Sequence, residues 1–328
     1  MSSRPLPHRP LGKTGIDVSV LGYGAWGIGG TGWVGADDTE SLRALRRAFE
    51  LGVDFVDTAL GYGDGHSETL IGEAVRAATE TVVVATKVPP LNRQWPARPG
   101  VHADEAFPAD WVVSRTERSL RNLGLETIDL QQFHVWSEEW LGQGGWLEAI
   151  EQLKRDGKIR FFGVSINDHS PASAVNLVES GHADTVQVIY NVFDQSPGDE
   201  LFAAARTAGV GVLARVPFDE GALAGAVRPD SVFPEHDFRN NYFRGERKAE
   251  VWARVQAIAA DLDVPVERLP EAALRFCISD DAVSTVIPGM RSVANVEKNA
   301  SAVEAGPLAA GQLDALRGHR WVRNYYGA

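Results

Sequence analysis

Short runs of Val, Ile and Leu alternate with longer segments of helical spacing along almost the whole chain. The apolar runs at Val18–Leu21, Asp54–Asp57, Thr81–Lys87, Ile128–His134, Ile159–Ser165, Thr185–Tyr190, Gly211–Val216 and Val283–Ile287 predict strands. Between them, Asp38–Leu51 sets Leu42, Leu45 and Phe49 against Arg43, Arg46, Arg47 and Glu50, the spacing of an amphipathic helix. The same periodicity predicts helices over Glu68–Ala78, Ala109–Leu123, Trp146–Asp156, Pro171–Ser180, Asp199–Ala208, Arg247–Leu262 and Pro270–Ile278. Glycine closes several of them, at Gly52, Gly157 and Gly209, where a left-handed residue ends a helix. A run such as Thr81–Thr86 has no polar face, which suits a parallel sheet covered by helices on its outside. Eight such units with no low-complexity linker predict an α/β chain of one domain, residues 1–328, closed as a (β/α)8 TIM barrel.

Three connections are too long for plain turns: Pro89–Pro108, Val135–Gly145 and Pro217–Glu246. Each follows a strand, so in a barrel each lies at the C-terminal face, where sites of this fold are built. The stretch Gly22-Tyr-Gly24-Ala-Trp-Gly27 matches a G-x-G-x-x-G pattern after a strand. A dinucleotide fingerprint needs a helix whose first turn meets the pyrophosphate. Here glycines continue to Gly35 and helical spacing begins only near Asp38, so the stretch reads as a loop on the barrel rim.

Composition narrows the partners. Lys plus Arg is 32 against 44 Asp plus Glu, a net charge of −12, which excludes a general nucleic-acid binder that works by neutralising phosphates. No stretch is long and apolar enough for a membrane span. The N-terminal Met-Ser-Ser-Arg stretch lacks an apolar signal core, and the single Cys277 fits a reducing compartment, so the expected location is cytoplasmic. The histidines at 66, 102, 134, 169 and 182 form no His-x-His strand motif, so no metal is expected and a metal-dependent barrel hydrolase is disfavoured.

Four polar residues stand at or just beyond the ends of three successive strands: Asp57, Tyr62, Lys87 and His134. Asp57, Tyr62 and His134 alone have ordinary readings, as a helix-entry turn, a loop aromatic and a structural imidazole. Together the four converge on one barrel mouth. A lysine ending so apolar a strand needs a carboxylate, and Asp57 is on the adjacent strand. A cation beside a phenol lowers the phenol's pKa from about 10, so Tyr62 is expected to act as a proton donor near neutrality. His134 is placed to orient a carbonyl oxygen.

These residues sit in Asp57-Thr-Ala-Leu-Gly-Tyr62-Gly-Asp-Gly-His-Ser-Glu68-Thr-Leu-Ile-Gly72, with Thr86-Lys87 and Gln-Phe-His134 following. From Arg9 to about Asn299 the chain resembles the aldo-keto reductase superfamily. The resemblance implies a TIM barrel that reduces an aldehyde or ketone with NADPH. It implies Tyr62 as proton donor, Lys87 and Asp57 as the pair acting on its pKa, and His134 as substrate orienter. It also implies cofactor contacts. Ser165, Asn167 and Gln187 would hold the carboxamide, although Ile166 stands where relatives often carry Asn directly after the Ser. Arg215 would stack on nicotinamide, with Pro217, Phe218 and Gly221 after it. Gly289, Arg291, Asn295, Lys298 and Asn299 would hold the adenosine phosphate, with Arg291 pairing a 2′-phosphate through its fork of donors, helped by free N–H groups where a helix opens near Ser292. The segment from Phe238 through Arg244 reads as a lid over the dinucleotide.

Trp26, Trp95 and Trp136 are expected in the substrate pocket, Trp26 also against the cofactor, an aromatic wall suited to an apolar carbonyl or a sugar ring. A second class of function has the same fold and site: a cofactor-binding regulatory or redox-sensing subunit with slow turnover.

Overall fold

A computed structural model of the chain describes residues 6–326. Eight parallel strands form the sheet: β3 (Tyr23–Gly24), β4 (Phe55–Asp57), β5 (Val83–Val88), β6 (Ile128–Phe133), β7 (Ile159–Ser165), β8 (Thr185–Ile189), β9 (Gly211–Arg215) and β10 (Val283–Val286). Each pairs with its sequence neighbour, and parallel bridges Leu21–Val286 and Gly24–Gly289 join the last strand to the first, closing a (β/α)8 barrel. The seam is tight: a Cβ on Gly24 would lie 2.6 Å from the carbonyl oxygen of Ile287, so only glycine lets the two chains pass.

The main covering helices are α1 (Asp38–Glu50), α2 (His66–Ala77), α4 (Ala109–Leu123), α5 (Trp146–Arg155), α6 (Val175–Ser180), α7 (Leu201–Ala208), α10 (Leu269–Ile278) and α11 (Val293–Glu304). Inserted among them are α3 (Ala103–Ala106), α8 (Arg239–Tyr242) and α9 (Arg247–Asp261), and α12 (Ala310–Arg317) follows. Asp37 starts α1 by accepting the N–H of Glu40 at 2.8 Å. None of the described helices is long and apolar enough to cross a membrane.

The run Val18–Leu21 is not the first barrel strand. Its first half, β2 (Asp17–Ser19), pairs antiparallel with β1 (His8–Pro10). Val18 and Leu11 of this hairpin pack with Phe55, Val83, Leu130 and Leu213 inside the barrel. Two-residue periodicity then sorts the strands. Phe55, Val83, Ala85, Leu130 and Leu213 face inward, whereas Val56, Val84, Phe133, Val186 and Ala214 pack in the outer layer with the helices. By the same parity Asp57, Lys87, Gln132, Ser165, Gln187 and Arg215 are inward positions, at the C-terminal end of the barrel.

Candidate active site

Lys87 is fully buried, and its Nζ donates to Asp57 Oδ2 at 2.5 Å, to the Thr58 carbonyl at 2.8 Å and to the Tyr62 hydroxyl at 3.4 Å. All three ammonium donors are therefore used, which a buried cation requires. The other Asp57 oxygen, Oδ1, accepts amide hydrogens from Gln187 at 2.8 Å and Gln132 at 3.0 Å. Tyr62 lies in the turn after β4, against the loop after β3: a Cβ on Gly29 would come within 2.9 Å of the Tyr62 carbonyl carbon. His134 follows β6, its amide bound to the Val88 carbonyl at 3.0 Å. Its ring meets Tyr62 edge-on at 5.5 Å and Trp95 at 4.5 Å between centroids.

Burial, then Lys87 and Arg215, holds the His134 pKa well below 6.5, so the imidazole is neutral near neutral pH. Its Nδ1 is buried without a partner among the described residues. Burial also pushes the Tyr62 phenol above 10, with Lys87 pulling down and Asp57 pushing up. This corrects the expectation of a phenol drawn below its ordinary value. Asp57 sits so close to Lys87 that much of the cation's field is cancelled, and desolvation prevails.

Above these groups opens a cavity of about 660 Å³, within the range of ligand sites. Tyr62, His134, Ser165, Gln187 and Arg215 line its strand-end side, and Trp26, Trp33, Trp95 and Phe238 add aromatic walls. Gly289, Arg291 and Asn295 line the far end. Arg215 donates to Asp168 at 2.7 Å and to the Ile166 carbonyl at 3.1 Å. The loop beyond it is strained: Val216, Asp219 and Glu220 have φ of +57°, +47° and +56°. The loop is held from the tail, where Arg323 donates to Asp219 at 2.5 Å and Tyr326 donates to Glu220. Burial and the neighbouring Asp219 push the Glu220 carboxyl up to about 7, against the pull of Tyr326.

The long seventh connection folds over the opening. Its Phe238 amide binds the Gly32 carbonyl at 2.8 Å, and Arg239 forms a two-toothed pair with Asp237, both bonds 2.8 Å, while lying 4.1 Å from the Trp33 ring. Arg291 donates to the Val34 carbonyl at 3.0 Å and has no carboxylate partner among the described residues.

A profile of the aldo/keto reductase family matches residues 20–320. The chain belongs to the aldo/keto reductase family. It is 30% identical over 239 residues to the aldo-keto reductase YhdN of Bacillus subtilis, covering 72% of this chain and 69% of that one. It is 25% identical over 316 residues to the NADH-specific methylglyoxal reductase of Escherichia coli, covering 90% and 92%. It superposes on the holo form of aldo-keto reductase AKR11C1 from Bacillus halodurans with a TM-score of 0.75 at 27% identity, covering 98% of this chain and 99% of the other.

In this aldo/keto reductase the structure brings Asp57, Tyr62, Lys87 and His134 together, with Trp26, Trp95, Ser165, Gln187, Arg215, Pro217, Phe218, Gly221, Gly289, Arg291 and Asn295 around the same cavity. Other expected contacts lie elsewhere. Trp136 is fully buried behind the barrel, edge-on to Trp140 and Trp146, with its Nε1 on the Ser173 carbonyl at 3.2 Å; it is core, not pocket. Asn167 points to the third loop, accepting the Ala97 amide at 3.1 Å and so pinning the segment that carries Trp95. Arg244 and Lys298 are exposed and outside the cavity wall, and Asn299 is buried on the inner face of α11. Nor are the first N–H groups of α11 free: Val293 donates to Glu40 at 3.1 Å and Asn295 to the Ser292 side chain at 3.3 Å. The sequence reading missed Gln132, Asp168 and Glu220. Inward parity in Leu130, Gln132 and His134 was the available signal for the first; the others meet their partners only through the fold.

Proposed function

We propose that this chain, acting as one catalytic domain, reduces an aldehyde or ketone to an alcohol with NADPH. The observation that carries the reading is the Tyr62 hydroxyl, at the cavity wall 3.4 Å from the Lys87 ammonium and beside a neutral imidazole. Tyr62 then donates the proton that the carbonyl oxygen needs as it becomes an alkoxide. Lys87 stabilises the phenolate left behind, and Asp57 fixes the direction of its ammonium. Neutral His134 keeps one ring N–H to hold the carbonyl oxygen without adding a charge.

The cavity fits a dinucleotide at several points. Arg215 has a planar guanidinium at the wall, with a buried Nε that lacks a partner among the described residues. Gly289 presents open space where any other residue would set a side chain. Arg291 offers a half-buried cation whose bond in the structure is to a backbone carbonyl. In this reading Ser165 and Arg215 hold the nicotinamide end, Pro217 to Gly221 run beside the middle, and Arg291 with Asn295 takes the adenosine phosphate. When bound, the reduced nicotinamide supplies the hydride. The choice of NADPH over NADH rests on Arg291, whose fork of donors suits a phosphate.

Trp26, Trp33, Trp95 and Phe238 suit a carbonyl carried on an apolar or ring-shaped body that stacks on indole. A carbonyl-substrate screen following NADPH and NADH absorbance tests the reading, with Tyr62→Phe as the control. Turnover abolished by that substitution supports the reductase; absence of turnover with every carbonyl favours the regulatory alternative.

A further inference from the structure

On the inner face of the barrel two glutamines meet below the cavity. Gln132 on β6 is fully buried, and Gln187 on β8 nearly so. Gln187 Nε2 reaches both Asp57 Oδ1, at 2.8 Å, and Gln132 Oε1, at 3.2 Å. Gln132 Nε2 reaches the same Asp57 oxygen at 3.0 Å. The two amides and the carboxylate thus close a small ring of hydrogen bonds spanning three strands.

The ring has a directional consequence. Asp57 has two oxygens, and a carboxylate on a free side chain rotates to share both with a nearby cation. Here Oδ1 is held by two donors on one side, so only Oδ2 faces Lys87. Lys87 is held in turn at Thr58 and points its remaining donor at Tyr62. We propose that Gln132, with Gln187 as its partner, is a positioning residue that orients Asp57, and through it aims Lys87 at the Tyr62 hydroxyl. This rests on the reductase reading for its catalytic consequence, but the geometry it explains does not depend on that reading. Tyr62 is faced by Lys87, Asp57, His134 and Arg215, and only the first two are reached through Gln132.

The test uses Gln132→Met, similar in length and without the amide, and Gln132→Glu, equal in shape but placing a carboxyl where a donor was. The full-length protein is labelled at tyrosine Cζ, and the Tyr62 resonance is assigned with Tyr62→Phe. In Gln132→Met the Tyr62 phenol should titrate at higher pH than in the parent, because Lys87 no longer faces it squarely. With a carbonyl substrate, kcat should fall about 10- to 100-fold while KM for NADPH stays within about twofold, since a hydrogen bond to a charged group is lost and the cofactor wall is untouched. Gln132→Glu should be impaired at neutral pH and partly recover in acid, where the new carboxyl regains a proton to donate. If Gln132→Met fails to fold, Gln187→Met gives the same Tyr62 titration from the other donor, without the NADPH comparison because Gln187 lines the cavity. An unchanged Tyr62 titration in the variants overturns the proposal, whether or not the protein reduces a carbonyl. A shifted titration in a protein that reduces nothing upholds the positioning and rejects the reductase reading alone.

Discussion

Lys87 and Asp57 form an ion pair 2.5 Å long with side-chain exposures of 0% and 4%. Removing one partner leaves a charge stranded in a low-dielectric interior, at a cost of about 3–5 kcal/mol. Lys87→Met and Asp57→Leu should each lower stability by that order, measured by urea denaturation. The double variant should be more stable than either single, because no unpaired charge remains, yet it should be inactive. Additive losses in the double variant would mean that the two groups are not coupled.

Glu220 supplies a pH dependence of stability. Its carboxyl has a pKa of about 7 in the fold against 4.5 ordinarily. Between those values the folded state keeps a proton that the unfolded state releases. The Glu220 contribution to stability therefore declines as pH rises from about 4.5 to about 7 and is constant above, a span of about 3 kcal/mol at most. Glu220→Gln should gain stability relative to the parent at pH 8 and show little of that gain at pH 4.5. A difference that is the same at both values would remove Glu220 from the account.

Most of the barrel was legible because its strands are Val- and Ile-rich runs buried on both faces; Ile159–Ser165 and Ala109–Leu123 have the predicted bounds. The first strand was not. Tyr23–Gly24 is two residues long, and at the seam Gly24 runs so close to the Ile287 and Pro288 carbonyls that it has no room for a side chain, while the apolar Val18 beside it belongs to the hairpin plugging the barrel. Asp57, Tyr62, Lys87 and His134 were readable from their places at strand ends. Trp136 was misplaced because a loop tryptophan carries no mark of the side it faces. Glu220 and Tyr326 are 106 residues apart and meet only when the tail crosses the barrel mouth.

Arg291 is expected to discriminate between cofactors. A charge-assisted bond to a phosphate contributes about 1.5–3 kcal/mol, so Arg291→Ala should weaken NADPH binding about 10- to 150-fold and leave NADH nearly unchanged. Fluorescence titration with both cofactors measures this. Equal weakening of both would make Arg291 a support for the wall that includes Val34 and Trp33.

Asn167 separates two roles. Its bonds run to Ala97, in the loop that carries Trp95 over His134. Asn167→Ala should therefore raise KM for the carbonyl substrate severalfold and leave the NADPH dissociation constant unaltered. A loss confined to NADPH affinity would restore the carboxamide role that the sequence resemblance implied.

The central claim is that Tyr62 gives its proton to the carbonyl oxygen. It is tested most directly by single-turnover reduction with saturating NADPH, comparing the parent with Tyr62→Phe. The phenyl ring keeps the shape of the wall, and only the hydroxyl 3.4 Å from Lys87 is lost. The account predicts a chemical step slower by about 10²- to 10⁴-fold with NADPH affinity retained. A Tyr62→Phe variant that reduces the carbonyl at the parental rate would contradict it.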